Sequence, residues 1–329
     1  MITKHGVKVH VDTLSSKGIV GSVEESFDTS YIDANMVAFV EKFIKESPFY
    51  YVSVLDFSTK QGAIPTCERS MLTQFHDVSD CEVKCYDERW SFFTSQADLY
   101  EIEKLYKDIG VDFIFSPFSV LTHFFQEKIK ERMAMFVLIQ ETSVTLCIFE
   151  ESQLLYGEYL DMQSDFDDNE ELVLESGDED EDISFDMDLE ESIDLEDVDV
   201  IDDMDDIDDI EDFGDIEDLD SVEDIDEFSE DIEEEFYQES EEEIEQHTTS
   251  DSFNEDYQRF SLIQTSLNKF YKDTRYESKF VEYVYVADGV GISPDLKRYL
   301  EEEMFLTVYV RQADLGAEVS TLAQVEVGL

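Results

Sequence analysis

An acidic stretch at residues 161–256 dominates the charge of this 329-residue chain. Its 96 positions hold 49 Asp or Glu residues and no Lys or Arg, and the base-free run extends from Met133 to Gln258. The other 233 residues hold 36 acids and 22 bases, so 49 of the 63 net negative charges lie in this stretch. Like charges at this spacing repel one another with no base to relieve the repulsion, which opposes compact folding.

Within the stretch, an apolar residue returns at every third position. These residues are Val198, Ile201, Met204, Ile207, Ile210, Phe213, Ile216, Leu219, Val222, Ile225 and Phe228. A three-residue repeat drifts backwards by about 60° per step around a helix, so no single apolar face forms. We therefore expect a mostly disordered insertion. Its isolated apolar side chains leave open a second interpretation, that they are docking points for a basic partner.

Outside this stretch, the chain is long enough for two modest domains, and 42% of the whole sequence is hydrophobic. The first residues lack the apolar run of a signal peptide, and no segment approaches the length of a membrane span. We expect a cytoplasmic protein that is not inserted in the membrane. A net charge of −63 also argues against nucleic-acid binding, which needs clustered Lys and Arg.

The four cysteines, Cys67, Cys81, Cys85 and Cys147, are too few for a disulfide scaffold. We expect ordinary reduced thiols. The alternative is a metal site at His76, Cys81 and Cys85, which still requires a fourth ligand.

Periodicity predicts an α/β first half. Predicted strands cover 7–13, 18–27, 50–57, 62–66, 89–95 and 113–115, and predicted helices cover 34–46 after Asp33, 99–109 and 120–129. Strands 50–57 and 62–66 are expected to be joined by a Thr-Lys-Gln-Gly turn. In the second half, strands 133–140, 143–149 and 154–160 form a meander. Beyond the acidic stretch come a helix at 257–271, a strand at 281–286, a helix from Pro294 to Met304, a strand at 306–310 and a helix at 319–328.

Several segments carry a family resemblance: FVLIQETSVTLCIFEESQLLYGEYL (136–160), YQRFSLIQTSLNKFY (257–271), VEYVYVADGVGISPDLKRYLEEEMFLTVYV (281–310) and the closing VEVGL (325–329), with looser likeness at 35–64 and 90–120. With the element order, they resemble the actin-like ATPase (ribonuclease H-like) fold. More narrowly, they are similar to the PilM and GspL cytoplasmic-domain family of bacterial type IV pilus and type II secretion platforms. The resemblance implies a first domain at 1–132 and a second at 133–160 plus 257–329, interrupted by the insertion at 161–256.

The resemblance also implies where a nucleotide would bind. Its positions here are Asp12, Gln140, Glu141, Thr142, Asp288, Gly289 and Gly291. The family pattern has two Asp-x-Gly turns and a glycine-rich adenosine loop. Here the second turn reads Gln140-Glu141-Thr142, a remnant of the first would be Asp12-Thr13-Leu14, and Asp288 replaces a loop glycine. Added Cβ atoms and carboxylates oppose the approach of a polyphosphate. We expect no catalytic residue, no bound metal, no ATP turnover, and weak ATP binding at most.

The resemblance thus favours a non-catalytic scaffold of a type IV pilus, type II secretion or DNA-uptake platform, located peripherally at the inner face of the inner membrane. Its expected partner is a bitopic inner-membrane protein, whose cytoplasmic tail docks on the first domain around the helix at 34–46. Two alternatives remain open: an active actin-like ATPase, and an acidic decoy or chaperone-like module that binds basic proteins. His5, His10, His76, His123 and His247 show no catalytic spacing and are expected to be structural or solvated.

Overall fold

The protein is described by a computed structural model that covers residues 2–3, 6–16, 18–29, 31–47, 49–163, 250–276 and 278–328. Most of the predicted insertion therefore lies outside the described residues. The helix that follows it begins at Ser250, inside the range assigned to the insertion.

Thirteen strands are present in the described part of the chain. In chain order they are β1 (Ile2–Thr3), β2 (Gly6–Ser15), β3 (Gly18–Phe27), β4 (Ser53–Leu55), β5 (Gln61–Ile64), β6 (Cys81–Tyr86), β7 (Trp90–Ser95), β8 (Phe113–Phe115), β9 (Ala134–Ile139), β10 (Ser143–Glu150), β11 (Gln153–Asp161), β12 (Tyr283–Asp288) and β13 (Thr307–Gln312). The described helices are α1 (Ala34–Glu46), α2 (Leu72–Phe75), α3 (Gln96–Leu105), α4 (Pro117–Phe124), a 3-10 turn (Lys128–Lys130), α5 (Ser250–Lys272), α6 (Pro294–Glu302) and α7 (Leu315–Glu326). None of these helices has the length and apolar character needed to cross a bilayer.

A mixed eight-stranded sheet organises these elements, in the order β13-β12-β9-β10-β11-β5-β7-β6. The β13/β12 and β12/β9 pairs are parallel, and the other pairs are antiparallel. Strands from both predicted domains share this sheet, and the boundary at 132/133 stays a prediction. Two smaller sheets hold β1-β2-β3 and the parallel pair β4-β8.

The core surrounds β9, whose six residues are all buried. Met135, Val137 and Ile139 belong to a cluster that also contains Ile263 and Leu267 of α5. The opposite side chain Phe136 stacks on Tyr285, with ring centroids 5.3 Å apart. Such a continuous apolar run is typical of a strand that is covered on both faces.

Helix starts follow the capping rules. Asp33 Oδ1 accepts a hydrogen bond from the Met36 amide at 2.8 Å, which fixes the start of α1. Ser293 caps α6 immediately before Pro294, whose missing N–H is not needed in a first turn. Both starts were predicted from the sequence.

The order predicted for the second half is confirmed, but three predictions in the first half are wrong. Strand 50–57 is reduced to β4, which pairs with β8. Strand β6 lies between the strands predicted at 62–66 and 89–95, where no strand was predicted because the alternation there is short. The helix predicted at 120–129 begins earlier, at Pro117, because Ser116 caps its first turn.

The expectation of four reduced thiols is also wrong. Cys67 and Cys85 form a disulfide, with their Cα atoms 5.4 Å apart. Strand β6 pairs with β7, and this pairing brings Cys85 beside Cys67 in the segment after β5. Because β6 was not predicted, this contact could not be predicted either. Cys81 and Cys147 are free and buried, and burial raises the pKa of each thiol. Because Cys85 is in the disulfide, the alternative of a His76, Cys81 and Cys85 metal site is lost.

Candidate functional site

A groove of about 1470 Å³ lies between the β2–β3 hairpin, α1, β4 and α7. Its apolar lining includes Met36, Val40, Phe43 and Ile44 of α1, Val54 and Leu55 of β4, and Val319 and Ala323 of α7. Among the residues that the structure describes, the lining also carries one lysine, Lys8, and six carboxylates, from Asp12, Glu24, Asp28, Glu46, Glu141 and Asp314. This surface combines an apolar lining with a negative charge.

Asp12 lies inside strand β2 opposite Ser22, so no turn occurs at Asp12-Thr13-Leu14 as the resemblance suggested. Its Oδ2 accepts a hydrogen bond from Ser320 Oγ of α7 at 2.7 Å. Its Oδ1 lies 3.1 Å from His10 Nε2. Burial raises the pKa of Asp12, but hydrogen bonds from Ser320, Ser22 and His10 outweigh burial, and the net pKa is lowered. Asp12 therefore joins the hairpin to the C-terminal helix.

Residues Gln140, Glu141 and Thr142 do form the turn between β9 and β10. The Gln140 amide donates to the Ser143 carbonyl at 2.9 Å, and Ser143 Oγ donates to Gln140 Oε1 at 3.3 Å. The Thr142 carbonyl accepts from the Met162 amide at 2.9 Å. The turn is therefore closed by the hydrogen bonds between Gln140 and Ser143, and it is also bonded to Met162 after β11.

Asp288 lies at the end of β12 and is 1% exposed. Its Oδ1 accepts from the Val290 and Gly291 amides at 3.0 and 2.8 Å. Its Oδ2 accepts from the Ile292 amide at 2.9 Å and from Gln312 Nε2 at 2.7 Å. Successive backbone N–H groups of this kind form an anion-binding nest. Here the chain's own carboxylate occupies it.

The backbone conformation and the close packing of the loop after β12 explain why its two positions 289 and 291 are glycines. Gly291 has φ of +80°, a left-handed conformation that side chains other than glycine rarely adopt. A Cβ on Gly289 would lie 2.8 Å from the Ile139 carbonyl oxygen and 2.9 Å from Leu315 Cδ1. Both glycines are therefore required by the fold itself, whether or not a nucleotide binds.

The structure brings some of the predicted site residues together. Asp12, Glu141 and Gly289 line the groove, whereas Gln140, Thr142, Asp288 and Gly291 are not among its lining residues. Nucleotide binding by these seven residues stays a prediction.

Sequence reasoning missed two polar clusters. His10, Glu24 and Asp314 bring three potential metal-ligand atoms within 4.8 Å of one another. The available signal was the alternation that places His10 and Asp12 on one face of β2. The second cluster is the buried pair Asp256 and Arg259, 2.6 Å apart, which fell at the edge of the predicted insertion.

Residues 135–328, more than half of the chain, match a family model described as a domain of unknown function, DUF8341. The chain belongs to this family. The DUF8341 segment starts within β9 and includes the acidic stretch, while residues 1–122 match a second domain of unknown function, DUF8569. A search of curated proteins found no match to this DUF8341 chain.

Two solved structures are similar to the chain. A Bacteroides thetaiotaomicron protein with an actin-like ATPase fold and unknown function is 17% identical, with a TM-score of 0.29. The match covers 47% of this chain and 66% of that protein, just under two thirds of its length. A PilM-PilN type IV pilus biogenesis complex is 8% identical, with a TM-score of 0.47, over 97% of this chain and 93% of the other. At these identities and TM-scores, neither likeness informs function.

Proposed function

We propose that this chain is a non-catalytic, actin-like scaffold at the cytoplasmic side of an inner-membrane platform for type IV pili, type II secretion or DNA uptake. It holds the cytoplasmic tail of a bitopic membrane protein. The groove along α1 is the observation that carries this proposal, because it lies at the helix on which the sequence resemblance placed the partner's peptide. The choice of machine rests on that sequence resemblance alone.

The groove suits a short peptide that carries apolar and basic residues. Val40 and Phe43 offer apolar surface on α1, and Tyr50 and Tyr51 stand nearby with 46% and 55% of their surfaces exposed. Aromatic side chains at a groove are effective anchors for a bound peptide. The six carboxylates of the lining favour Lys or Arg in the occupant and disfavour an acidic one.

The absence of ATP chemistry is part of the proposal. The amides of the glycine-rich loop already bind the Asp288 carboxylate. Glu141 adds a negative charge in the groove, and among the described lining residues Lys8 is the single Lys or Arg. These features oppose a polyphosphate, whose binding requires free amides and positive charge.

Site-specific photo-crosslinking tests the proposal in the cells that produce the protein. A photoreactive phenylalanine analogue at Tyr50, in the groove, should crosslink to the cytoplasmic tail of a protein with one membrane span. The same analogue at Phe280, which is 69% exposed and outside the groove, is the control and should not. Equal crosslinking at both positions, or capture of soluble proteins alone, would contradict the scaffold.

A matched pair of substitutions sharpens this test. Val40→Lys removes apolar surface from the groove and adds a charge that repels a basic peptide, so it should abolish the Tyr50 crosslink. Val325→Lys makes the same change at a 59% exposed position on α7 outside the groove lining and should leave the crosslink intact.

A further inference from the structure

The start of α7 meets the β2–β3 hairpin at a cluster of three potential ligands. His10 of β2 and Glu24 of β3 are opposite one another in the antiparallel register. Asp314 caps α7, and the three ligand atoms all lie within 4.8 Å of one another. A Cβ on Gly316 would lie 2.7 Å from His10 Cβ, so glycine allows the helix start to approach the strand this closely.

The imidazole of His10 is oriented as a metal ligand would be. Its Nε2 lies 3.1 Å from Asp12 Oδ1 and 3.1 Å from Ser22 Oγ. A carboxylate oxygen accepts hydrogen bonds, so in neutral His10 the ring N–H that faces Asp12 is the one on Nε2. The other nitrogen, Nδ1, then presents a lone pair.

That lone pair faces negative charge. His10 Nδ1 is buried, has no hydrogen-bond partner among the described residues, and lies 4.0 Å from Glu24 Oε2. A lone pair beside carboxylate oxygens is repelled by them, and a metal cation bound between them would replace this repulsion by attraction. A carboxylate that accepts from the far ring nitrogen is the arrangement that commonly orients a metal-binding histidine.

We propose that His10 Nδ1, Glu24 and Asp314 bind a divalent first-row transition ion, with zinc as the ion that suits this ligand set. One imidazole nitrogen and carboxylate oxygens are ligands that zinc accepts at about 2.1 Å, which places tetrahedral donors about 3.4 Å apart. The donors here are within 4.8 Å, and the Glu24 side chain, 39% exposed, can rotate to shorten the gap. A fourth position is left for water.

The neighbouring groups leave the required oxygens available. Lys8 Nζ lies 2.8 Å from Glu24 Oε1, which leaves Oε2 on the His10 side. Asp314 Oδ1 accepts from the Gly316 and Ala317 amides, and this cap does not use Oδ2. The negative charges of the three carboxylates, Asp12, Glu24 and Asp314, exceed the single positive charge of Lys8. The ion would fasten the hairpin to α7, a role that does not depend on the proposed partner.

Zinc titration of the full chain by calorimetry tests this site. Millimolar Mg²⁺ is included in the buffer so that weak carboxylate binding along the acidic stretch is already satisfied. His10→Phe and Glu24→Gln should each weaken the tight zinc site by at least about 10-fold, since even an orienting neighbour is worth 10-fold to 100-fold. His247→Phe, the same change within the acidic stretch, should leave zinc affinity unchanged. Cobalt should show nitrogen ligation in its visible spectrum, and His10→Phe should remove it.

Two results would overturn the site. One is a wild-type chain with no zinc affinity above that left in His10→Phe. The other is Glu24→Gln binding zinc and cobalt like the wild type. Circular dichroism checks that each variant is folded. If His10→Phe does not fold, Glu24→Gln decides the question, because it changes a partly exposed side chain without changing its shape.

Discussion

Asp288 stabilises the loop that follows β12. The family that the sequence resembles has a glycine at this position. In this chain the buried carboxylate accepts four hydrogen bonds, three of them from the loop that follows. A group that satisfies buried amides is costly to lose.

We expect Asp288→Asn to lower the free energy of unfolding by about 2–3 kcal/mol. The new amide NH₂ would face the Ile292 amide and Gln312 Nε2, which now donate hydrogen bonds to Oδ2. Urea denaturation measures the change. The control is Asp295→Asn, which removes the partly exposed partner of Arg298, 2.8 Å away, and should cost less than about 1 kcal/mol. Equal effects would mean that Asp288 has no special role.

Asp12 gives a pH-dependent prediction. Its pKa is lower in the folded chain, so its stabilising contribution is complete above the unfolded value and is lost as the pH falls through the folded value. Ser320→Ala should therefore destabilise the fold by about 1 kcal/mol at pH 7, and this difference should shrink in acid. Thr321→Ala is the control, since Thr321 Oγ1 donates to the Ala317 carbonyl and its effect should not vary with pH. A Ser320→Ala effect that is constant with pH would exclude this role.

Individual helices and strands could be predicted from the sequence where their apolar patterns and capping residues are pronounced. The β9–β10–β11 meander has apolar runs and polar turns, and α6 has Ser293 and Pro294 at its start, so both could be predicted. Strand β6 is short, largely exposed and only weakly alternating, so tertiary pairing with β7 decides its structure. Without β6, the Cys67–Cys85 disulfide could not be foreseen.

In the candidate site, too, local segments could be predicted from the sequence, but contacts between distant residues could not. The Gln140–Thr142 turn and the glycine loop could be located from sequence, because each lies between two strong elements. Asp12 and Ser320 are 308 positions apart, and no local pattern links them. The His10, Glu24 and Asp314 cluster likewise depends on how the hairpin and α7 pack.

The disulfide predicts a measurable stabilisation. It closes a loop with a sequence separation of 18, for which a gain of about 3 kcal/mol is expected. Replacing both Cys67 and Cys85 by Ser should lower the free energy of unfolding by about that amount, and a reducing agent should do the same to the wild type. Cys147→Ser is the control for loss of a thiol. Because this variant keeps the disulfide, the reducing agent should still lower its free energy of unfolding. A wild type that is insensitive to reduction would contradict the assignment.

At the scale of the whole molecule, the acidic stretch joins neighbouring points of the fold. The Gln258 side chain donates to the Met162 carbonyl, across 96 positions. The Asp256 carboxylate accepts from the Ser293 amide at 2.9 Å, so the start of α5 is fixed to α6. The described elements on either side of the stretch therefore hold each other directly.

Replacing residues 169–241 by a short Gly/Ser linker should leave a soluble, cooperatively unfolding protein. Its free energy of unfolding should rise by no more than about 2 kcal/mol, because each halving of a loop removes about 0.6 kcal/mol of closure cost. Thermal and urea unfolding provide the measurement. Loss of cooperative unfolding would show that the segment contributes to the core.

The proposed function requires that this chain has no nucleotide chemistry and that its groove recruits a partner. Calorimetry of the full chain with ATP and Mg²⁺ tests the first half most directly. We predict no binding tighter than about 1 mM, or about −4 kcal/mol. Micromolar binding of ATP, or phosphate release that Asp12→Asn abolishes, would exclude the non-catalytic scaffold. Either result would favour the alternative of an active actin-like ATPase.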